Sequence, residues 1–168
     1  MDVVVGAKGS PMQLILSGVL HIDAPTGNIP LKAVQDLKKN PLVAGVIPIS
    51  LGDNLQGFRI VGTSLDYVKH YQATVAQGAL WTQPMQAVLG STTAAKLKLS
   101  VGATFAGAHG LGAGGHAHGD STYTVVGILQ PSGSVLDRLV LTDSASVWKV
   151  HEDFTAMDAE DRKLMEED

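Results

Sequence analysis

The chain has 168 residues, enough for one domain or two small subdomains sharing a core. Its 45% hydrophobic and 17% charged content, with a mean hydropathy of +0.16, excludes a disordered polymer. A net charge of -4 and only 5% aromatic residues argue against nucleic-acid binding, which needs basic surface and stacking platforms.

The charge is uneven. Residues 152–168 hold eight of the sixteen acids against Arg162 and Lys163, a segment charge of -6 that leaves +2 on the rest. Such a run reads as a solvated helix face. The absence of cysteine removes disulfides and thiolate metal sites and says nothing of redox compartment. No stretch approaches the roughly 18 apolar residues of a membrane helix, and the start has no basic region followed by an apolar one. Read by itself, the chain is expected to be soluble.

In chain order, Val3–Val5 and Met12–Leu20 read as apolar strand-like segments around a turn-rich Gly6–Pro11, although the second could equally begin as a helix. A helix follows Pro30, with Leu31, Val34 and Leu37 on one face, polar residues between them and Asn40-Pro41 as its stop. That face is expected to pack on a sheet. Val43–Leu51 and Phe58–Val61 then read as a hairpin around Gly52–Gly57, and Thr63 or Ser64 caps a short helix over Leu65–Tyr71.

From Gly78 the texture turns to short strands with frequent glycine: Ala87–Leu89, Thr104–Phe105, Tyr123–Leu129 and Arg138–Leu141, interrupted by a helix over Thr92–Leu97. Helical pattern returns at Ser144–His151 and Asp158–Glu167. The last is acidic, and its Leu164 and Met165 have no visible partner, so the sequence reads as cut rather than finished.

Five segments in this order resemble the periplasmic domain of MacB-like permeases, the superfamily of ABC transporter permeases that includes the lipoprotein-release permeases (LolE type) and FtsX. They are Val4–Ser10 with Leu14; Phe58–Thr63; Ala87–Gly90 with Ala94, Leu97, Leu99, Val101 and Gly102; Thr124–Leu129; and Gly133–Arg138. The family often has glycine and aspartate where this chain has Lys98 and Ala103. The resemblance implies an α+β fold split in three. A porter-like α+β subdomain occupies 1–78, a β-rich Sabre-like subdomain 79–148, and a C-terminal helical segment, 149–168, returns to the porter-like part.

The resemblance further implies a non-enzymatic extracytoplasmic domain on the periplasmic side of an inner membrane, coupling ATP-driven motion of membrane helices to a periplasmic substrate or adaptor. Its partners would be an ATPase subunit reached through the membrane region, a second permease copy and an adaptor or substrate protein, with no nucleic acid.

Candidate chemistry concentrates in 107–120. His109, His116 and His118 with Asp120 offer imidazole and carboxylate ligands suited to Zn²⁺, Ni²⁺ or Cu²⁺, and His-x-His on an extended chain places both rings on one side. This makes a metal-binding or metal-responsive periplasmic module the alternative function, with zinc as its candidate cofactor. Against it stands the plain alternative of a mobile glycine-rich hairpin. Gly110–Gly115 matches the dinucleotide pattern G-x-G-x-x-G, but the strand signal at Tyr123–Val126 replaces the helix that a pyrophosphate would need.

His21, His70 and His151 stand singly and read as packing or surface residues. Asp137-Arg138 reads as a structural ion pair or turn contact, and Trp81, Trp148, Tyr67 and Tyr71 as core. No G-x-S-x-G elbow, H-E-x-x-H helix or phosphate loop occurs, and no catalytic residue is assigned.

Overall fold

The computed structural model describes residues 3–109 and 117–149. Its first helix, α1 (Pro11–Gly18), takes the helical alternative that the segment Met12–Leu20 left open. The cause is local. Ser10 and Gln13 make a reciprocal capping box, each side chain accepting the other's backbone N–H at 3.2 Å, and Pro11 pre-sets the first helical φ.

The second helix, α2 (Leu31–Lys39), stands where its periodicity placed it, yet none of its residues is buried and Leu31 is 55% exposed. The expected packing of Leu31, Val34 and Leu37 on a sheet is therefore corrected. Residues 43–49, expected to be strand, are irregular as well.

The β1 (Ser50–Leu55) and β2 (Phe58–Thr63) strands form a hairpin in which Leu55 faces Phe58 across a two-residue turn. Gln56 and Gly57 both have positive φ, 49° and 88°, the geometry that matches the twist of paired strands. Beyond them come α3 (Leu65–His70), β3 (Val75–Gly78), β4 (Gln86–Leu89), α4 (Ser91–Leu97), β5 (Thr104–His109), β6 (Ala117–Leu129), a 3₁₀ turn (Val135–Arg138) and β7 (Val140–Asp143). Residues 144–149 are helical. Lys98 ends α4 in the left-handed conformation at φ 54°, a position that favours the glycine common in the family it resembles.

The sheet runs β3-β6-β4-β7-β2-β1-β5, and the long β6 also pairs with β5, so six of the seven strands close into a ring. β3 continues along β6 past the end of β5, with Gly78 opposite Gly127. The β2–β7 and β4–β6 pairs are parallel, the others antiparallel. Closure leaves little unpaired edge. Strands from 1–78 and from 79–148 share this ring, since β1 pairs with β5 and β2 with β7 in one continuous sheet.

Period-two alternation sorts the core into two faces. Ile60, Leu89 and Val140 join Leu55, Phe105, Tyr123 and Val125 in a cluster fed by all six ring strands, which is the barrel interior. There Phe105 and Tyr123 stack with centroids 5.2 Å apart. Val61, Val88 and Leu141 belong to a second cluster with Tyr67 and Val68 of α3, Trp81 and Leu136. Every residue of β2 is buried, as expected for a strand covered on both faces.

Three strands run directly into helices: β2 into α3 at Ser64, β4 into α4 at Gly90, and β7 into 144–149 at Asp143, whose Oδ1 accepts the Ala145 N–H at 2.8 Å. The last helix is fixed to the barrel by Ser146, whose Oγ accepts from Met85 N at 2.8 Å and lies 2.9 Å from the Thr142 hydroxyl.

Candidate functional site

The segment joining α1 to α2 lies against the barrel through two polar residues. His21, 4% exposed and at φ 55°, places Nδ1 2.9 Å from the Ser17 carbonyl and Nε2 2.6 Å from the Tyr67 hydroxyl. A carbonyl only accepts, so Nδ1 carries the proton and Tyr67 donates to Nε2. Burial, partly offset by the Ser17 bond, and the nearby Arg59 charge push the ring down to about 4, so it is neutral at pH 7. Burial, with Tyr71 beside it, pushes the Tyr67 phenol up.

Arg59, at the start of β2, is the second tie. Its Nη2 donates to the Asp23 carbonyl at 3.1 Å. The side chain is 5% exposed, and its Nε has no hydrogen-bond partner. Burial lowers its pKa and the Asp23 charge opposes that shift, which leaves a guanidinium with unspent donor capacity.

Between this segment, the β1–β2 turn and the 3₁₀ turn lies an open groove of about 270 Å³, lined by Leu20, Ile22, Phe58, Arg59, Val135 and Arg138 among others. The guanidinium of Arg138 sits 5.5 Å over the Phe58 ring, a cation–π contact. Leu20 and Ile22 are 44% and 63% exposed at the rim.

Asp137 makes the turn contact expected of it. Its carboxylate accepts from Ser132 N at 2.8 Å, Ser132 Oγ at 2.9 Å and Gly133 N at 2.8 Å. Burial works against its charge, but these bonds outweigh that and hold the carboxyl below its usual range. Arg138 lines the groove and, among the described residues, makes no ion pair with Asp137 or any other carboxylate. Trp81 and Tyr67 are core, whereas Trp148 is 46% exposed and donates to Ser50 Oγ at 3.2 Å.

The sequence reading missed Arg59 and the groove altogether. A basic residue inside an otherwise apolar strand, Phe58-Arg59-Ile60-Val61, was the available signal.

The metal candidates fall elsewhere. Residues 110–116, with His116 and the G-x-G-x-x-G pattern, lie outside the described residues, as do the side chains of His109, His118 and Asp120. The backbone does bring the two ends of that loop to adjacent strands, with Ala108 opposite Ala117. Among the described residues no group of three His, Cys, Asp or Glu could hold a metal ion. Nor, among them, is any helix long and apolar enough to cross a membrane.

A closed barrel with helices at its strand ends and a groove beneath a tethered N-terminal segment defines an α+β domain built on a mixed sheet. The chain belongs to the MacB-like periplasmic core domain family, whose model matches residues 3–167. Among solved structures it is similar to the periplasmic region of MacB from Actinobacillus actinomycetemcomitans, with a TM-score of 0.51 and 15% identity over 71% of this chain and 57% of that one. It is also similar to the extracellular domain of the noncanonic ABC-type transporter YknZ from Gram-positive bacteria, with a TM-score of 0.50 and 15% identity over 70% of this chain and 63% of that one. The chain thus spans less than two thirds of either structure, and likeness at this identity speaks to fold. The comparison with curated proteins gave no match.

Proposed function

We propose that this chain is the extracytoplasmic domain of an ABC transporter permease, a non-enzymatic part that transmits ATP-driven motion of membrane helices to a periplasmic substrate or adaptor. The family match over residues 3–167 carries the reading. The closed ring supports it physically: register in a paired, closed barrel cannot slip strand by strand, so motion imposed on the domain moves it as a unit. Two copies facing each other would open and close on a partner, while hydrolysis takes place on a separate ATPase subunit.

A Lys96→Cys change on the exposed face of α4, with any cysteine outside these 168 residues replaced, places one spin label per copy, since this chain contributes no other. In the full-length permease reconstituted with its ATPase, the distance between the two labels is expected to differ between the nucleotide-free and ATP-bound states. One unchanged distance distribution in both states contradicts the transmission role.

A further inference from the structure

We propose that the groove between the α1–α2 segment, the β1–β2 turn and the 3₁₀ turn is a binding site for a small anionic amphiphile. Its oxyanion head, carboxylate or phosphate, is held by Arg59 and Arg138, and its apolar stem lies against Leu20, Ile22 and Val135. The site stands on the groove's own chemistry and does not depend on the transporter reading.

Arg59 supplies the first reason. A guanidinium 5% exposed whose Nε N–H has no partner is a costly thing to bury; that nitrogen is itself closed to solvent, while the side chain as a whole lines the groove rather than the barrel interior. An oxyanion is the acceptor that satisfies such a planar fork best.

Charge supplies the second. Arg138 makes no ion pair among the described residues and is steered over Phe58 at the same groove. Two carboxylates lie nearby: Asp23, whose Oδ1 accepts from Ala24 N at 2.8 Å and whose charge acts on Arg59, and Asp137, which accepts from Ser132 and Gly133. Neither is a lining residue, so the groove presents cationic and apolar groups together.

Size supplies the third. About 270 Å³ lies just under the roughly 300 Å³ at which ordinary small-molecule pockets begin, so it suits a head group with a short stem and not a folded partner. The exposed Leu20 and Ile22 at the rim give a longer stem apolar surface to follow outward.

The test is titration of the chain with hexyl phosphate and with hexanoate, beside inorganic phosphate and hexanol, read by calorimetry and by backbone amide shifts. Saturable binding of both amphiphiles is expected, with shifts at Gly57–Arg59 and Val135–Leu139. Inorganic phosphate should bind at least about tenfold more weakly, and hexanol not measurably. Arg138→Gln, at an exposed position that leaves folding intact, should weaken hexyl phosphate about tenfold, the usual weight of a charge-assisted hydrogen bond. Arg59→Lys keeps the charge and removes the fork, and should weaken it as well. No saturation by hexyl phosphate, or an unchanged Kd in both variants, overturns the site. Equal affinity for inorganic phosphate overturns the amphiphile and makes the ligand a free oxyanion.

Discussion

Tyr67 donates its hydroxyl proton to Nε2 of His21 across 2.6 Å, joining the segment after α1 to α3 through a bond buried at both ends. The His21 ring must be neutral to accept it. Because the folded state holds His21 at about 4, below its ordinary 6.5, the unfolded chain binds the extra proton between those values. The stabilisation is complete above pH 6.5 and is lost as pH falls towards 4, by up to about 3 kcal/mol. Urea unfolding at pH 7.0 and pH 4.5 measures the loss. A His21→Asn variant, whose side chain tolerates the positive φ, should flatten this acid slope, and an unaltered slope would show that other groups set it.

Gly90 is fixed by the chain that passes over it. A Cβ there would lie 2.0 Å from the Leu136 carbonyl oxygen and 2.5 Å from that of Asp137, both backbone atoms that cannot swing aside. Gly90→Ala should therefore cost more than about 3 kcal/mol, at the upper end of single-residue effects. Gly45→Ala, with nothing within 4 Å, is the control and should be near neutral. Chemical denaturation of the two variants side by side reads the difference.

Val34 sits on a helix with no buried residue. An aspartate there keeps its hydration, so Val34→Asp should cost less than about 1 kcal/mol, whereas Val61→Asp, at a position with no exposure, should prevent folding or cost several. Comparable melting temperatures for the two variants would mean that α2 is covered in solution.

The loop histidines remain a sequence-based proposal with a direct measurement. If His109, His116 and His118 with Asp120 bind Zn²⁺, calorimetry should show modest affinity that weakens below about pH 6 as the imidazoles protonate. Replacing all three histidines by alanine should abolish the heat. Superimposable titrations leave the glycine-rich hairpin without a metal role.

Legibility followed the range of the forces involved. Local signals were read correctly where they were strong: α2 after Pro30, α4 after Ser91, β2 at Phe58–Thr63 and β4 at Gln86–Leu89 stand close to where propensity and period put them. At α1 the apolar run left strand and helix open, and the capping pair Ser10 and Gln13 decides for the helix. Burial was harder to read, since an amphipathic stripe such as Leu31, Val34 and Leu37 shows that a helix could pack and not that anything packs on it. Least legible was ring closure, because the pairings of β1 with β5 and of β2 with β7 rest on contacts between distant segments that no window of sequence contains. The groove was hidden for the same reason, Arg59 and Arg138 being far apart along the chain.

The closed ring also sets an order of events in folding. β2 finds one neighbour at once, in β1 across a two-residue turn, but its other neighbour is β7, and Ile60 must wait for Val140. β1 likewise waits for β5. A chain emerging from its N-terminus can form the first hairpin and α3 early, yet it holds one edge of a strand that ends fully buried unpaired until nearly all the described sequence is out. Long-range pairings of this kind slow folding and lengthen the time during which an edge can capture another strand. The free edge of β2 is thus the place where a growing chain of this topology is open to pairing with another strand.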